Sequence, residues 1–80
     1  MERKEIFDKL TIIFRDVLDN EEIELNDDTT AEDIEDWDSL ANVQLMETIQ
    51  KAFGIHFSAY EISSWIDVGE MVDSISKKLS

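Results

Sequence analysis

Cysteine and proline are both absent from this 80-residue chain, and glycine occurs only twice, at Gly54 and Gly69. Without cysteine there is no disulfide framework and no thiolate metal site to reinforce a small core. The chain also has no thiol of its own to serve as a nucleophile. Lack of proline and scarcity of glycine disfavour a turn-rich β architecture and suit short helices. No apolar run approaches the roughly 18–20 residues that a bilayer-spanning helix needs. Met1-Glu2-Arg3-Lys4-Glu5 mixes acids with bases and leads into no apolar stretch with a small-residue cleavage site, so it does not read as a signal peptide. The expectation is one domain over residues 1–80, cytoplasmic, with the thin core that a chain of this size can build.

Lysine and arginine are missing altogether between Asp16 and Gln50, where thirteen acids stand, eleven of them from Asp19 to Asp38. The rest of the chain holds seven acids and seven bases, so the whole net charge of −13 belongs to that stretch. Such a block repels phosphate backbones and anionic lipid, which argues against nucleic-acid and membrane partners. It also steers basic protein surfaces toward itself. An acidic face that only keeps a small domain in solution would have the same composition.

What the chain does contain is helical periodicity. Ile6, Phe7, Leu10, Ile13, Phe14, Val17 and Leu18 predict an amphipathic first helix from about Glu2 to Asp19. Asn20 to Asp38 breaks the pattern and reads as a long loop, pinned to the core at Ile23, Leu25, Ile34 and Trp37. A connection of that length in a small domain is often functional. Leu40, Val43, Met46 (with Leu45), Ile49 and Phe53 resume the helical period, predicting a second helix from about Ser39 to Ala52 that Gly54 closes. Ser58-Ala59-Tyr60-Glu61 has the serine and glutamate of a capping box and opens a short helix toward Trp65. Asp67-Val68-Gly69-Glu70 starts a last helix whose apolar stripe is Val68, Met71, Val72, Ile75 and Leu79. Lys77 and Lys78 complement its C-terminal dipole.

The chemistry gathers at Asp38-Ser39-Leu40. Asp38 is suited to cap the second helix, which puts the Ser39 hydroxyl in the first turn. There, open backbone N–H groups and the helix dipole favour an attached phosphodiester, even on an acidic protein. Taken alone, the triplet is also ordinary capping chemistry. Asp36, Asp38 and Glu47 fall at the first, third and twelfth positions of an EF-hand loop, but Leu40 and Ala41 occupy the fifth and sixth, where a ligand and a glycine are needed. A hydrolase is no better supported. His56 is the one histidine, no Gly-x-Ser-x-Gly elbow is present, and Ser39 has no base.

Asp38-Ser39-Leu40, the acidic loop before it, the run Leu45-Met46-Glu47-Thr48-Ile49-Gln50-Lys51-Ala52-Phe53-Gly54-Ile55 after it and the helices on either side resemble the acyl carrier protein family. The likeness extends from Ile6-Phe7 to Ile75 in length, helix order and serine position. It implies an all-α, four-helix bundle with three longer helices, one short helix and a long loop between the first two. It further implies that Ser39, flanked by Asp38 and Leu40, carries a covalent 4′-phosphopantetheine. A phosphopantetheinyl transferase would add that arm from coenzyme A, and its thiol would hold acyl groups as thioesters. Such a protein is a monomeric carrier with no catalytic residue and no metal, so it is not an enzyme. Its partners, by the same likeness, are the transferase and the loading ligase, synthase or transferase enzymes with basic surfaces, which dock on the second helix. Val43 and Glu47 are the implied contacts, although Val43 equally suits a core position and Glu47 a solvated charge.

Two departures from the family pattern bear on the pathway. The second helix has Ala41, Asn42, Gln44, Gln50 and Lys51 around a single Glu47, where carriers of the main fatty-acid pathway are strongly acidic. Trp37 stands before the aspartate, where a small residue is common. The expectation is a dedicated carrier of a secondary pathway, of fatty-acid, polyketide or other lipid type. Phe57, Ile62 and Trp65 are expected to line the core beside the second helix, with the bulk of Trp65 leaving little room for long cargo. An aminoacyl or peptidyl carrier is the alternative within the class, disfavoured by the lack of glycine before Asp38. A small acidic interaction module without a prosthetic group is the alternative outside it.

Overall fold

Four helices and no strand make up the chain, in a computed structural model that describes all 80 residues. Helix α1 spans Arg3–Val17, α2 Ser39–Phe53, α3 Ala59–Ser64 and α4 Val68–Leu79. Helix α1 packs against both α2 and α4. It buries Ile6, Leu10, Ile13 and Phe14 against Leu45, Met46, Ile49 and Phe53 of α2 and Val68, Met71, Val72 and Ile75 of α4.

Helix α1 stops two residues short of the expected end, and the reason is local. Asp19 takes a left-handed φ of 51°, and the N–H groups of Asp19 and Asn20 turn back to the carbonyls of Asp16 and Arg15. That pair of bonds is a Schellman closure, which satisfies the last carbonyls and ends the helix. Helix α2 runs one residue further than expected and is closed by Gly54 at φ 66°. Lys9 Nζ donates to the carbonyl of Ala52 at 2.8 Å and lies 4.7 Å from the Phe53 ring centre, so α1 also braces the end of α2.

The apolar stripe expected on α2 needs correction in its first turns. Leu40 and Val43 are 73% and 61% exposed, and the buried face instead runs through Leu45, Met46, Ile49 and Phe53, with Ala41 half-buried against it. A step of three residues advances about 300° around a helix. A chain of such steps therefore drifts by about 60° each time, and Leu40 ends up opposite Ile49.

The connection between α1 and α2 is more ordered than a plain loop. Ile23 and Ile34 are buried, with Leu25 and Trp37 half-buried against the core. Ala31–Asp33 forms a single 3-10 turn that was not expected, held by the Thr30 N–H donating to Asp33 Oδ2 at 2.9 Å. Thr29 is buried, and its hydroxyl accepts from the Asn26 N–H at 2.9 Å. The carbonyls of Thr29 and Asp27 accept from the first amides of α4, Val68 at 2.8 Å and Gly69 at 3.1 Å. Asp67 Oδ1 takes the Glu70 amide at 3.0 Å, so the loop and the cap together satisfy the start of α4. Arg3 ties the same junction by pairing with Asp27 and with Asp73.

Gly69 is required by this junction. A Cβ there would stand 2.7 Å from the Asp27 carbonyl oxygen and 3.1 Å from its Cα, both backbone atoms. Overpacking of this kind costs about 1–3 kcal/mol, against which alanine's helix preference returns up to about 1. Gly69→Ala is therefore expected to lower the melting temperature by roughly 5–10 °C in a thermal melt followed by circular dichroism.

Helix α3 is short and depends on its ends. The Glu61 carboxylate accepts from the Ser58 N–H at 2.9 Å and pairs with Lys78 of α4 at 3.0 Å. First the Ser58 amide and then Lys78 hold the Glu61 carboxyl below the usual glutamate range. This support is in place above the ordinary glutamate pKa and is lost as pH falls through the lowered one.

Candidate attachment site and docking face

Ser39 is the first residue of α2, directly after its cap. Asp38 Oδ1 accepts from the Ala41 N–H at 2.8 Å, and the Asp38 carbonyl accepts from the Asn42 N–H at 2.9 Å. The N–H groups of Ser39 and Leu40 have no acceptor in the chain, and the exposed Ser39 hydroxyl makes no hydrogen bond. The helix thus begins with two open donors and an unengaged oxygen at the positive end of its dipole, an arrangement suited to an anionic group.

The residue before the cap is fixed from two sides. The Trp37 indole N–H donates to Asn42 Oδ1 at 2.9 Å, and its ring meets Phe14 edge-to-face with centroids 4.9 Å apart. Trp65, just past α3, is held in the same manner. Its N–H donates to Ser74 Oγ at 2.8 Å, and its ring meets the buried Phe57 edge-to-face at 4.8 Å. Between these rings lies a cleft of about 430 Å³ whose wall includes Ser39. Trp37, Ile62, Trp65, Ile66 and Met71 supply its apolar surface, and Thr30, Asp38, Asn42 and Asp67 supply polar atoms.

The cleft gathers Asp38 and Ser39 but not Leu40, Val43 or Glu47. Those three share the outer, exposed stripe of α2 at helical spacing. For Val43, then, the open choice between core and surface is decided in favour of the surface. Asp36, Asp38 and Glu47 do not meet in a metal-ligating cluster. Asn42 and Ile66 were not singled out by sequence reasoning. Ile66 carried one signal, an apolar residue before the Asp67 cap and off every helical stripe, and it is 77% exposed.

Ser39 thus stands free at the head of the second helix, beside a cleft, with no side-chain base hydrogen-bonded to it. The family model described as a phosphopantetheine attachment site matches residues 8–75. A search of curated proteins returned no significant match. Among solved structures, the chain is similar to the holo acyl carrier protein of Geobacter metallireducens, determined by solution NMR. The two are 38% identical with a TM-score of 0.86, over 91% of this chain and 84% of that one. The chain belongs to the acyl carrier protein family. It bears a covalently attached 4′-phosphopantetheine, is modified by a phosphopantetheinyl transferase and interacts with biosynthetic enzymes, without being an enzyme itself. No helix is long and apolar enough to cross a membrane.

Proposed function

We propose that the 80 residues form one carrier domain whose Ser39 holds the phosphopantetheine arm. On it the protein presents acyl thioesters to the enzymes of a dedicated secondary pathway in the cytoplasm. The observation that carries the attachment site is the exposed, unbonded Ser39 hydroxyl beside the open amides of Ser39 and Leu40. These residues fit the group: the hydroxyl is the point of esterification and the amides suit the phosphodiester. The arm supplies the thiol that this cysteine-free chain lacks. Incubation with coenzyme A and a broad-specificity phosphopantetheinyl transferase should raise the intact mass by one phosphopantetheine, mapped by peptide fragmentation to Ser39. An unchanged mass would defeat the assignment.

Support for a dedicated pathway comes from the face of α2. Leu40 and Val43 give it an exposed apolar centre, while Glu47 and Lys51 offset one another. The acids stand in the preceding loop, where they can steer a basic partner's approach without forming the centre of contact. Housekeeping fatty-acid enzymes should therefore elongate chains on this carrier far more slowly than on their own, and equal rates would contradict the reading.

Placing a charge in that apolar centre tests the docking face. Val43→Asp should raise the KM of the transferase for this carrier about tenfold, the effect of losing one good interface contact. Because the side chain is 61% exposed, the melting temperature should stay close to wild type.

A further inference from the structure

We propose that Trp37 and Asn42 form a strap across the head of α2 that positions the Ser39 hydroxyl for loading. This rests on attachment at Ser39 and assigns two positioning residues to that site. Trp37 directly precedes the Asp38 cap, and Asn42 is the fourth residue of α2. In many helices these two positions hold apolar side chains whose contact fixes the angle at which the chain enters. Here the contact is a hydrogen bond, from the indole N–H to Asn42 Oδ1 at 2.9 Å. The ring leans edge-to-face on the buried Phe14, so the strap ties the head of α2 to α1.

The head of α2 has little else to hold it in place. No residue from Ser39 to Gln44 is fully buried, and the first buried residue of the helix is Leu45. Helix ends without buried anchors open locally at low cost. The Asp38 side chain and carbonyl already satisfy the Ala41 and Asn42 amides, so the strap is not needed to complete the cap. What it adds is restraint on the turn between its two ends, and Ser39 lies in that turn. The serine depends on its neighbours for position, because its own hydroxyl and N–H make no bond within the chain. In loading, Ser39 Oγ bonds to the pantetheine phosphorus of coenzyme A and gives its proton to a base of the transferase. The bond from that phosphorus to the bridging oxygen breaks, and adenosine 3′,5′-bisphosphate leaves with the electron pair. Such an attack is sensitive to where the oxygen sits, since a misplacement of about 1 Å can cost roughly a hundredfold in rate. Leu40 and Val43 stand on the outer stripe of α2, apart from the strap, so docking and aim belong to different residues.

Loading kinetics with coenzyme A and a broad-specificity phosphopantetheinyl transferase, steady-state and single-turnover, separate aim from docking. Asn42→Leu keeps the size of the side chain and removes the acceptor. Trp37→Phe keeps a ring against Phe14 and removes the donor. Each should lower kcat and the single-turnover rate about tenfold, the worth of one hydrogen bond, with KM for the carrier unchanged. That is the reverse of the KM effect expected for Val43→Asp. Asn42→Asp keeps an acceptor and should show most of the wild-type rate. The Trp37→Phe/Asn42→Leu double variant should load no slower than the slower single variant, because all three lose the same bond. Rates are compared at a temperature where circular dichroism shows each variant folded, and the two Asn42 variants carry the test alone if Trp37→Phe unfolds. Wild type that gains no mass removes attachment at Ser39 and the strap with it. Where wild type loads, four results overturn the strap and leave the attachment site standing: an unchanged single-turnover rate, a rise in KM alone, no recovery in Asn42→Asp, or additive losses in the double variant.

Discussion

Ser39→Ala protein, treated with coenzyme A and a broad-specificity phosphopantetheinyl transferase, should gain no mass while melting within a few degrees of wild type. The two halves of that expectation have separate causes. The hydroxyl is the only group at the head of α2 that can be esterified, so its removal leaves nothing for the transferase to modify. Yet it makes no hydrogen bond and is exposed, so the fold does not depend on it. Alanine is also the best helix former, and exposed substitutions of this kind stay within about 0.5 kcal/mol. An equal mass gain in wild type and mutant would move the attachment point elsewhere. A mutant that failed to fold would show that the site is structural. Ser39→Thr makes a finer test, since it keeps a hydroxyl but crowds it with a methyl group, and loading should slow rather than stop.

The largest loss of stability is expected at Phe14. Its side chain is fully buried between α1 and the rest of the core, and truncation to alanine at such a site costs about 3–5 kcal/mol. Native stability at about 0.05–0.15 kcal/mol per residue leaves a chain of this size little reserve, so part of the population should unfold at ordinary temperature. A melting temperature lower by roughly 15 °C or more is the expected result by circular dichroism. The effect should extend to the site, because Phe14 is the edge-to-face partner of Trp37, which in turn bonds Asn42 in the first turns of α2. Ser39 loading should therefore slow in Phe14→Ala even at temperatures where most of the protein is folded. A loss below about 1 kcal/mol would contradict the packing described for α1.

Much of the architecture was legible because helix signals are local. The stripe of Ile6, Leu10, Ile13 and Phe14, the left-handed Gly54, the Ser58–Glu61 box and the Asp67 cap each depend on residues within a few positions of one another. The misreadings were also local, but subtler. Leu40 joined an apolar series at three-residue steps, and the drift of those steps carried it to the outside of α2, together with Val43, for which core and surface had been left open. The 3-10 turn at Ala31–Asp33 was missed although Thr30-x-x-Asp33 carries a cap pattern, because no apolar period follows it. The cleft was legible only in part. Ile62 and Trp65 were expected together beside the second helix, but Trp37 lies in the loop before α2 and Ile66 before α4, and no spacing in the chain announces that they join the same cleft.

Helical periodicity and the cap residues are one-dimensional facts sufficient for the four-helix plan, while the carrier class came from the resemblance of Asp38-Ser39-Leu40 and its surroundings to the acyl carrier protein family. Tertiary structure alone decided which faces remain uncovered. Packing of α1 against α2 and α4 consumes one side of each helix, which leaves Leu40 and Val43 outward. The braced positions of Trp37 and Trp65 open a cleft at Ser39. Burial depends on what the remote chain covers, and periodicity states only which residues could be covered together.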